Sequence, residues 1–174
     1  MAHVFENAGF KPDDTVALMM NNRPEYVAIW LGLAKAGIVT ALINHNLKSD
    51  PLRHCIEIAH SKAVVFGVEF SESLADIKSN MESSMRFYAF DVGDHPPPAW
   101  CNNLDTALAQ ASTDPLEAKQ RQNCNDKALY IYTSGTTGLP KAAIIRHVRY
   151  KVAFTKYCCA CCSTKLKSRS SFSF

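Results

Sequence analysis

Short apolar runs alternate along this chain with stretches whose apolar residues recur at helical spacing. Because buried strands read as about four to eight consecutive apolar residues, the alternation predicts β-strands separated by α-helices. Parallel strands need such crossovers, so we expect an α/β fold with a mostly parallel sheet and flanking helices. The predicted strands cover residues 15–20, 38–43, 63–67, 86–91 and 128–132.

The predicted helices begin and end at residues suited to those positions. Gly37 follows the last helically spaced apolar residue of its segment, as a glycine past a helix end should. Ser49 or Asp50 is expected to cap the next helix, which has Pro51 in its first turn. The predicted helices cover residues 2–8, 25–36, 49–59, 71–81 and 103–111.

The longest apolar run does not predict a transmembrane segment. It covers residues 27–43, VAIWLGLAKAGIVTALI, and contains Lys35 and two glycines. A spanning helix needs about 20 apolar residues, so a helix, a turn and a strand are favoured here. The first fourteen residues lack the apolar core of a signal peptide. Seven unevenly spaced cysteines also argue against a disulfide framework and favour a reducing compartment.

The end of the chain differs in composition from the rest. Residues 141–174 carry eight Lys and Arg and no acid, whereas all sixteen acids lie in residues 1–140. Four cysteines lie within residues 158–162, too close together to surround one metal ion easily. Metal binding is therefore a weak first interpretation of this segment, and palmitoylation beside basic residues is a second. A disordered tail without a function is the third, and the sequence leaves all three open.

One loop carries the candidate chemistry, and it follows the strand predicted over residues 128–132. Ligands of parallel sheets bind outside the carboxyl ends of the strands. Glycines let backbone N–H groups approach an anion, hydroxyls donate hydrogen bonds, and lysine supplies charge, so this composition suits phosphate. A solvated, flexible loop is the alternative. The spacing matches neither a Walker A loop nor a dinucleotide fingerprint. Its key residues are Thr133, Ser134, Gly135, Thr136, Thr137, Gly138 and Lys141.

The longer string YIYTSGTTGLPKAAI resembles the phosphate-loop signature of the acyl-adenylate-forming superfamily. The match is unbroken from Tyr130 to Lys141. The flanks, including NRPEYVAIWLGLAKAGIVTALINHNLKSDPLRHCIEIAHSKAVVFG, are similar to the fatty acid transport protein branch, the very-long-chain acyl-CoA synthetases. The resemblance extends from about residue 5 to Tyr150.

The resemblance implies a long-chain fatty acid–CoA ligase. Such enzymes join a fatty acid to ATP, release pyrophosphate, and pass the acyl group to coenzyme A, with Mg²⁺ as a further cofactor. The loop would hold the β- and γ-phosphates of ATP. No catalytic residue and no metal ligand is implied within this chain. The implied nucleotide-binding residues are Tyr130, Ile131, Tyr132, Thr133, Ser134, Gly135, Thr136, Thr137, Gly138, Leu139, Pro140 and Lys141.

The resemblance also predicts the domain organisation. Residues 1–150 would form part of an N-terminal AMP-binding domain, and residues 151–174 an unrelated basic, Cys- and Ser-rich tail. The family's membrane-associating region before the matched segment, and most of its catalytic parts after Tyr150, are not recognised. We therefore expect a fragment that is inactive as a ligase by itself. The alternative is a catalytically inactive nucleotide-binding or interaction module, or a product without a function.

The expected partners are a fatty acid and a nucleotide, with peripheral membrane contact and no nucleic acid. The basic stripe of Arg146, Arg149 and Lys151 is too narrow for a nucleic-acid surface and is interpreted as the surface of a helix. The resemblance implies association with the endoplasmic reticulum or plasma membrane, with the site facing the cytosol.

Overall fold

The computed structural model describes residues 1–91, 93, 97–115, 123–134 and 138–149. The predicted tail, with its cysteine cluster, lies outside these residues, as do Gly135, Thr136 and Thr137 of the loop. Helices and strands alternate as predicted, except that two strands that were not predicted follow other strands directly. In chain order the elements are α1 (Ala2–Asn7), β1 (Thr15–Met19), α2 (Pro24–Lys35), β2 (Val39–Leu42), α3 (Ser49–Ile58), β3 (Ser61–Gly67), a 3₁₀ turn (Val68–Phe70), α4 (Ser71–Lys78), β4 (Arg86–Phe90), β5 (Asn102–Asn103), α5 (Leu104–Gln110), β6 (Lys127–Thr133) and β7 (Lys141–Arg146).

The strands form one sheet of seven in the order β5-β4-β3-β1-β2-β6-β7. All neighbouring pairs are parallel except β6 and β7, which are antiparallel. The α/β class with a mostly parallel sheet is therefore confirmed. The chain leaves β1 for β2 on one side and returns to β3 on the other. Such reversals of strand order create crevices at the carboxyl edge of a sheet.

Two apolar layers cover the two faces of the sheet. On one face, α3 and α4 pack against alternate residues of the strands, including Ala17 and Phe66. On the other face, α1, α2 and α5 pack against the residues between them, such as Val16 and Val65. All five residues of β1 are buried. This burial on both faces explains why the inner strands read as continuous apolar runs rather than as alternating ones.

The N-cap residue predicted for α3 was wrong, and strand β7 was not predicted. The N-cap residue is Lys48, with no side-chain capping bond, and Ser49 and Asp50 lie inside the helix. Arg146, which was interpreted as part of a helix surface, is the last residue of β7. Its guanidinium donates a hydrogen bond to the carbonyl of Asn125. Residues 141–146 form a strand because they pair with β6, and the local sequence does not reveal that pairing.

The apolar run over residues 27–43 is a helix, a turn and a strand, as predicted. Gly37 has φ +76°, which a residue with a side chain rarely adopts, and it follows the end of α2. Within the described residues, no helix combines the length and the apolar character needed to cross a bilayer.

Candidate phosphate-binding site

The candidate loop leaves the sheet at its carboxyl edge. Strand β6 pairs with β2 through Thr40 and Leu129 and, two residues later, through Leu42 and Ile131. Because β2 ends at Leu42, the residues after Ile131 extend beyond the neighbouring strand. The loop therefore begins at the edge where parallel sheets bind ligands.

Strand β7 turns the loop into the tip of a hairpin. Thr133 and Lys141 are directly paired in the antiparallel ladder, so the loop's first hydroxyl and its lysine lie opposite each other. Residues paired in this way have Cα atoms about 4.5–5.5 Å apart. Two groups suited to phosphate, eight positions apart in the sequence, are thereby brought together at the mouth of the hairpin.

The described part of the loop is open to solvent. Thr133, Ser134, Gly138 and Lys141 are all exposed. Gly138 has φ +86°, and a Cβ added to it would meet no atom within 4 Å. Backbone conformation, rather than lack of space, therefore requires glycine there. An anion can approach the loop without displacing packed side chains.

The charge around the loop favours an anion. Residues 127–149 contain no Asp or Glu. Among the salt bridges of the described residues, none involves Lys141. An ammonium without a carboxylate partner at an exposed loop retains its full attraction for phosphate.

Helix α3 contacts the loop on both sides. The hydroxyl of Tyr132, just before the loop, donates a hydrogen bond of 2.6 Å to the carbonyl of Cys55. Nε2 of His54 lies 3.1 Å from the carbonyl of Pro140, which immediately precedes Lys141. Since a carbonyl only accepts, Nε2 is the donor in this pair. The hairpin is thus attached to a helix that lies between β2 and β3 in the chain.

The strand before the loop has two different faces. Tyr130 is buried in the layer beneath α3, where the ring of Tyr132 also packs. Ile131 points away from that layer and is 44% exposed. Both tyrosines therefore hold the end of β6 in the apolar layer, and the role of residues 130–132 in anchoring the loop stays a prediction. Leu139 is 41% exposed and contributes little to this anchoring.

A groove of about 280 Å³ lies beside the loop. Most of its residues lie at or just beyond the ends of β1, β2 and β6, and one belongs to α2. Of these residues, only Ile131 and Tyr132 were predicted from the sequence to bind the nucleotide, although Asn44 and His45, which closely follow a buried strand, could have indicated a ligand site. The groove is lined by Met20, Asn22, Tyr26, Leu42, Ile43, Asn44, His45, Ile131 and Tyr132.

A wider cavity of about 740 Å³ lies at the opposite edge of the sheet. Ser61 and Arg86, the first residues of β3 and β4, are in its lining, together with Glu57 and Glu82. Its location at the amino ends of the strands separates it from the loop. Size alone would favour this cavity as the ligand site. The composition and the position of the loop favour a ligand site at the carboxyl edge instead.

Burial perturbs two groups where α3 meets the hairpin. It raises the pKa of the Cys55 thiol from 9.0 to about 11. It also raises the pKa of the Tyr132 hydroxyl, and the neighbouring Cys55 and Tyr130 add to that shift. Both groups therefore remain protonated in the folded chain at neutral pH.

These shifts predict a loss of stability in alkali. The folded state holds the Cys55 proton more tightly than the unfolded state, so stability is complete below pH 9 and falls as pH rises toward 11. The free energy of unfolding should fall by about 2 kcal/mol through this group between pH 8 and pH 11. Urea unfolding of the wild type and Cys55→Ala at both pH values measures the difference. Equal pH dependence in the two proteins would contradict the assignment.

Solved structures with the same architecture identify the fold. The complex of the anthranilate CoA ligase AuaEII with anthranoyl-AMP matches with a TM-score of 0.75 at 22% identity, over 84% of this chain and 27% of that one. A fatty acyl CoA synthetase of Mycobacterium tuberculosis matches with a TM-score of 0.68 at 25% identity, over 84% of this chain and 26% of that one. The fold is that of the N-terminal part of adenylate-forming synthetases.

The family follows from the sequence comparison. The model of the family described as AMP-binding enzyme matches residues 1–172, and the chain belongs to this family. It is 43% identical over 151 residues to long-chain fatty acid transport protein 1 of Mus musculus. That alignment covers 86% of this chain and 23% of the relative. The resemblance to the fatty acid transport protein branch is therefore confirmed, and the chain spans about a quarter of the length of such a relative.

Proposed function

We propose that the loop from Thr133 to Lys141 binds the β- and γ-phosphates of ATP in a long-chain fatty acid–CoA ligase reaction. In that reaction the fatty acid carboxylate attacks the α-phosphorus, and the bond to the β-phosphate breaks to release pyrophosphate. The thiol of coenzyme A then attacks the acyl carbonyl and displaces AMP. The residues of this chain act on the part of the nucleotide that leaves first.

The observation that carries the proposal is the pairing of Thr133 with Lys141 at an exposed hairpin mouth. The hydroxyls of Thr133 and Ser134 can donate to phosphate oxygens, and Lys141 can offset their charge. Thr136 and Thr137 would add two further donors, and Gly135 and Gly138 would shape the loop. Catalysis of phosphoryl chemistry rests mainly on such positioning and charge stabilisation.

Magnesium is assigned to no residue of this chain. Across the described ranges, no group of three or more His, Cys, Asp or Glu side chains could hold a metal ion. Mg²⁺ in nucleotide sites is usually held by one or two carboxylates together with the phosphates, and residues 127–149 contain no carboxylate. No step of the proposal therefore assigns a Mg²⁺ ligand to this loop. The described residues and their loop would bind phosphate through hydroxyls, backbone amides and one ammonium group.

The complete reaction requires more than these residues supply. The relatives that share this sequence are about four times longer, since the chain spans 23% of one of them. We expect a polypeptide of these 174 residues to bind nucleotide phosphates without forming acyl-CoA. Association with the endoplasmic reticulum or plasma membrane, with the loop in the cytosol, remains a prediction from the same family.

Isothermal titration with ATP, pyrophosphate and AMP tests the proposed function. ATP and pyrophosphate should bind in the same affinity range, because both carry the phosphates that the loop contacts. AMP should bind at least roughly tenfold more weakly, since one charge-assisted hydrogen bond contributes about 1.5–3 kcal/mol. Equal affinities for all three, or no binding of pyrophosphate, would overturn the proposal.

An assay of acyl-CoA formation from oleate, ATP and coenzyme A separates the ligase from a non-catalytic binding module. The 174-residue polypeptide should show no turnover above a Lys141→Ala control, even when it binds pyrophosphate. Turnover above that control would mean that the chain is an active ligase by itself.

A further inference from the structure

We propose that His54 is a positioning residue that fixes the end of the phosphate loop against α3 and so orients Lys141. The inference rests on the proposed function for its effect on ligand binding, and on geometry alone for its effect on the loop. His54 and Pro140 are separated by 86 positions in the sequence, yet Nε2 of His54 lies 3.1 Å from the carbonyl oxygen of Pro140. This contact is partly buried.

The peptide link after Pro140 explains how one hydrogen bond can orient the lysine. The carbonyl of Pro140 and the N–H of Lys141 belong to the same planar peptide unit. Holding the oxygen therefore fixes the plane from which the Lys141 side chain begins. Proline adds a second restraint, because its ring fixes φ at about −65°.

Strand pairing does not hold Pro140. The last residue pair of the hairpin ladder is Thr133 with Lys141, so Pro140 lies one residue beyond it. The bond from His54 therefore restrains the backbone at this end of the loop. On the other side of the loop, Tyr132 has its own bond to the carbonyl of Cys55. Two successive residues of α3 thus attach both ends of the loop.

Helix α3 is a firm base for this attachment. Its residues Leu52, Cys55 and Ile56 are fully buried against the sheet. Rigid elements place binding groups more accurately than free loops do, because their own side chains are locked by packing. The position of His54 on the helix, next to the buried Cys55, makes the imidazole a short link between the core and the loop.

The test compares three variants of the full chain. His54→Leu removes the donor, whereas His54→Gln retains an N–H donor on a side chain of similar reach. His60→Asn is the control, since His60 is an exposed histidine two residues after the end of α3. Asn tolerates its positive φ of 51°. Each protein is examined by hydrogen exchange and by titration with inorganic pyrophosphate.

His54→Leu should speed amide exchange in peptides covering residues 138–149 by roughly three- to tenfold, the equivalent of one lost hydrogen bond. It should weaken pyrophosphate binding by a similar factor and leave exchange in β1 and β3 unchanged. His54→Gln should restore most of both properties, and His60→Asn should behave as the wild type.

Three results would decide against the inference. Unchanged exchange over residues 138–149 in His54→Leu would mean that the bond does not restrain the loop. Faster exchange throughout the sheet would mean that His54 only supports the fold, and a failure of His54→Gln to restore the loop would mean that the donor is irrelevant. If the wild type does not bind pyrophosphate but the loop responds to His54→Leu, the proposed function fails while the attachment stands.

Discussion

Replacing Lys141 by glutamate should weaken pyrophosphate binding by roughly a hundredfold. A charge-assisted hydrogen bond contributes about 1.5–3 kcal/mol, and the new carboxylate adds repulsion to that loss. Lys141 is exposed and is in no salt bridge of the described residues, so the replacement breaks no ion pair seen there. The chain should therefore keep its stability while losing its ligand. Titration calorimetry at fixed ionic strength measures the first effect, and urea unfolding measures the second.

Lys127→Glu is the matched control for this experiment. It makes the same change in net charge at the other, exposed end of β6. Six residues of strand place it about 20 Å from the loop, more than two Debye lengths at physiological salt. Binding should change less than about twofold. Equal weakening by both variants would show that pyrophosphate binding depends on the net charge of the chain. That result would contradict a phosphate site at the loop.

Phe66→Ala should remove about 3–5 kcal/mol from the free energy of unfolding. Phe66 is fully buried in β3, which lies between β1 and β4 in the sheet. Its ring is stacked on Trp100 at a centroid distance of 5.7 Å and an interplanar angle of 12°. Truncation therefore leaves a cavity and breaks an aromatic contact that is worth about 0.5–1.5 kcal/mol beyond area burial. Since domains are stable by only about 5–15 kcal/mol, much of the chain could unfold.

Urea unfolding followed by circular dichroism measures this effect, with Phe66→Leu as the control. Leucine keeps an apolar side chain at the position and should cost clearly less than alanine. Pyrophosphate binding should fall in Phe66→Ala only in proportion to the unfolded fraction, because Phe66 lies in the sheet core rather than in the loop. A loss below about 1 kcal/mol in Phe66→Ala would contradict the packing of α4 and Trp100 around β3.

The sequence predicted the elements whose signal is local. Strands β1 to β4 and β6 are largely buried apolar runs, and Gly37 follows the end of α2 with a positive φ. The phosphate-binding interpretation of the loop came from a string of adjacent residues. These features depend on propensity, burial and short spacing, which a single sequence displays directly.

What the sequence did not predict depends on contacts between distant residues. Strand β7 has no buried residue, and its pairing with β6 defines it. β5 has two residues and reads as part of a loop. His54 stood out in no motif, because its role arises from a bond to a residue 86 positions away. The groove beside the loop likewise collects residues from three strand ends, which only the topology brings together.

The most direct test of the loop as a phosphate site is an NMR titration of the ¹⁵N-labelled chain with pyrophosphate at constant ionic strength. Amide signals of residues 133–139 and Lys141 should shift most and saturate together with one dissociation constant. Lys141→Glu should abolish these shifts and leave the rest of the spectrum unchanged. Shifts concentrated in the basic residues after Arg146, or shifts that rise without saturation, would contradict the account.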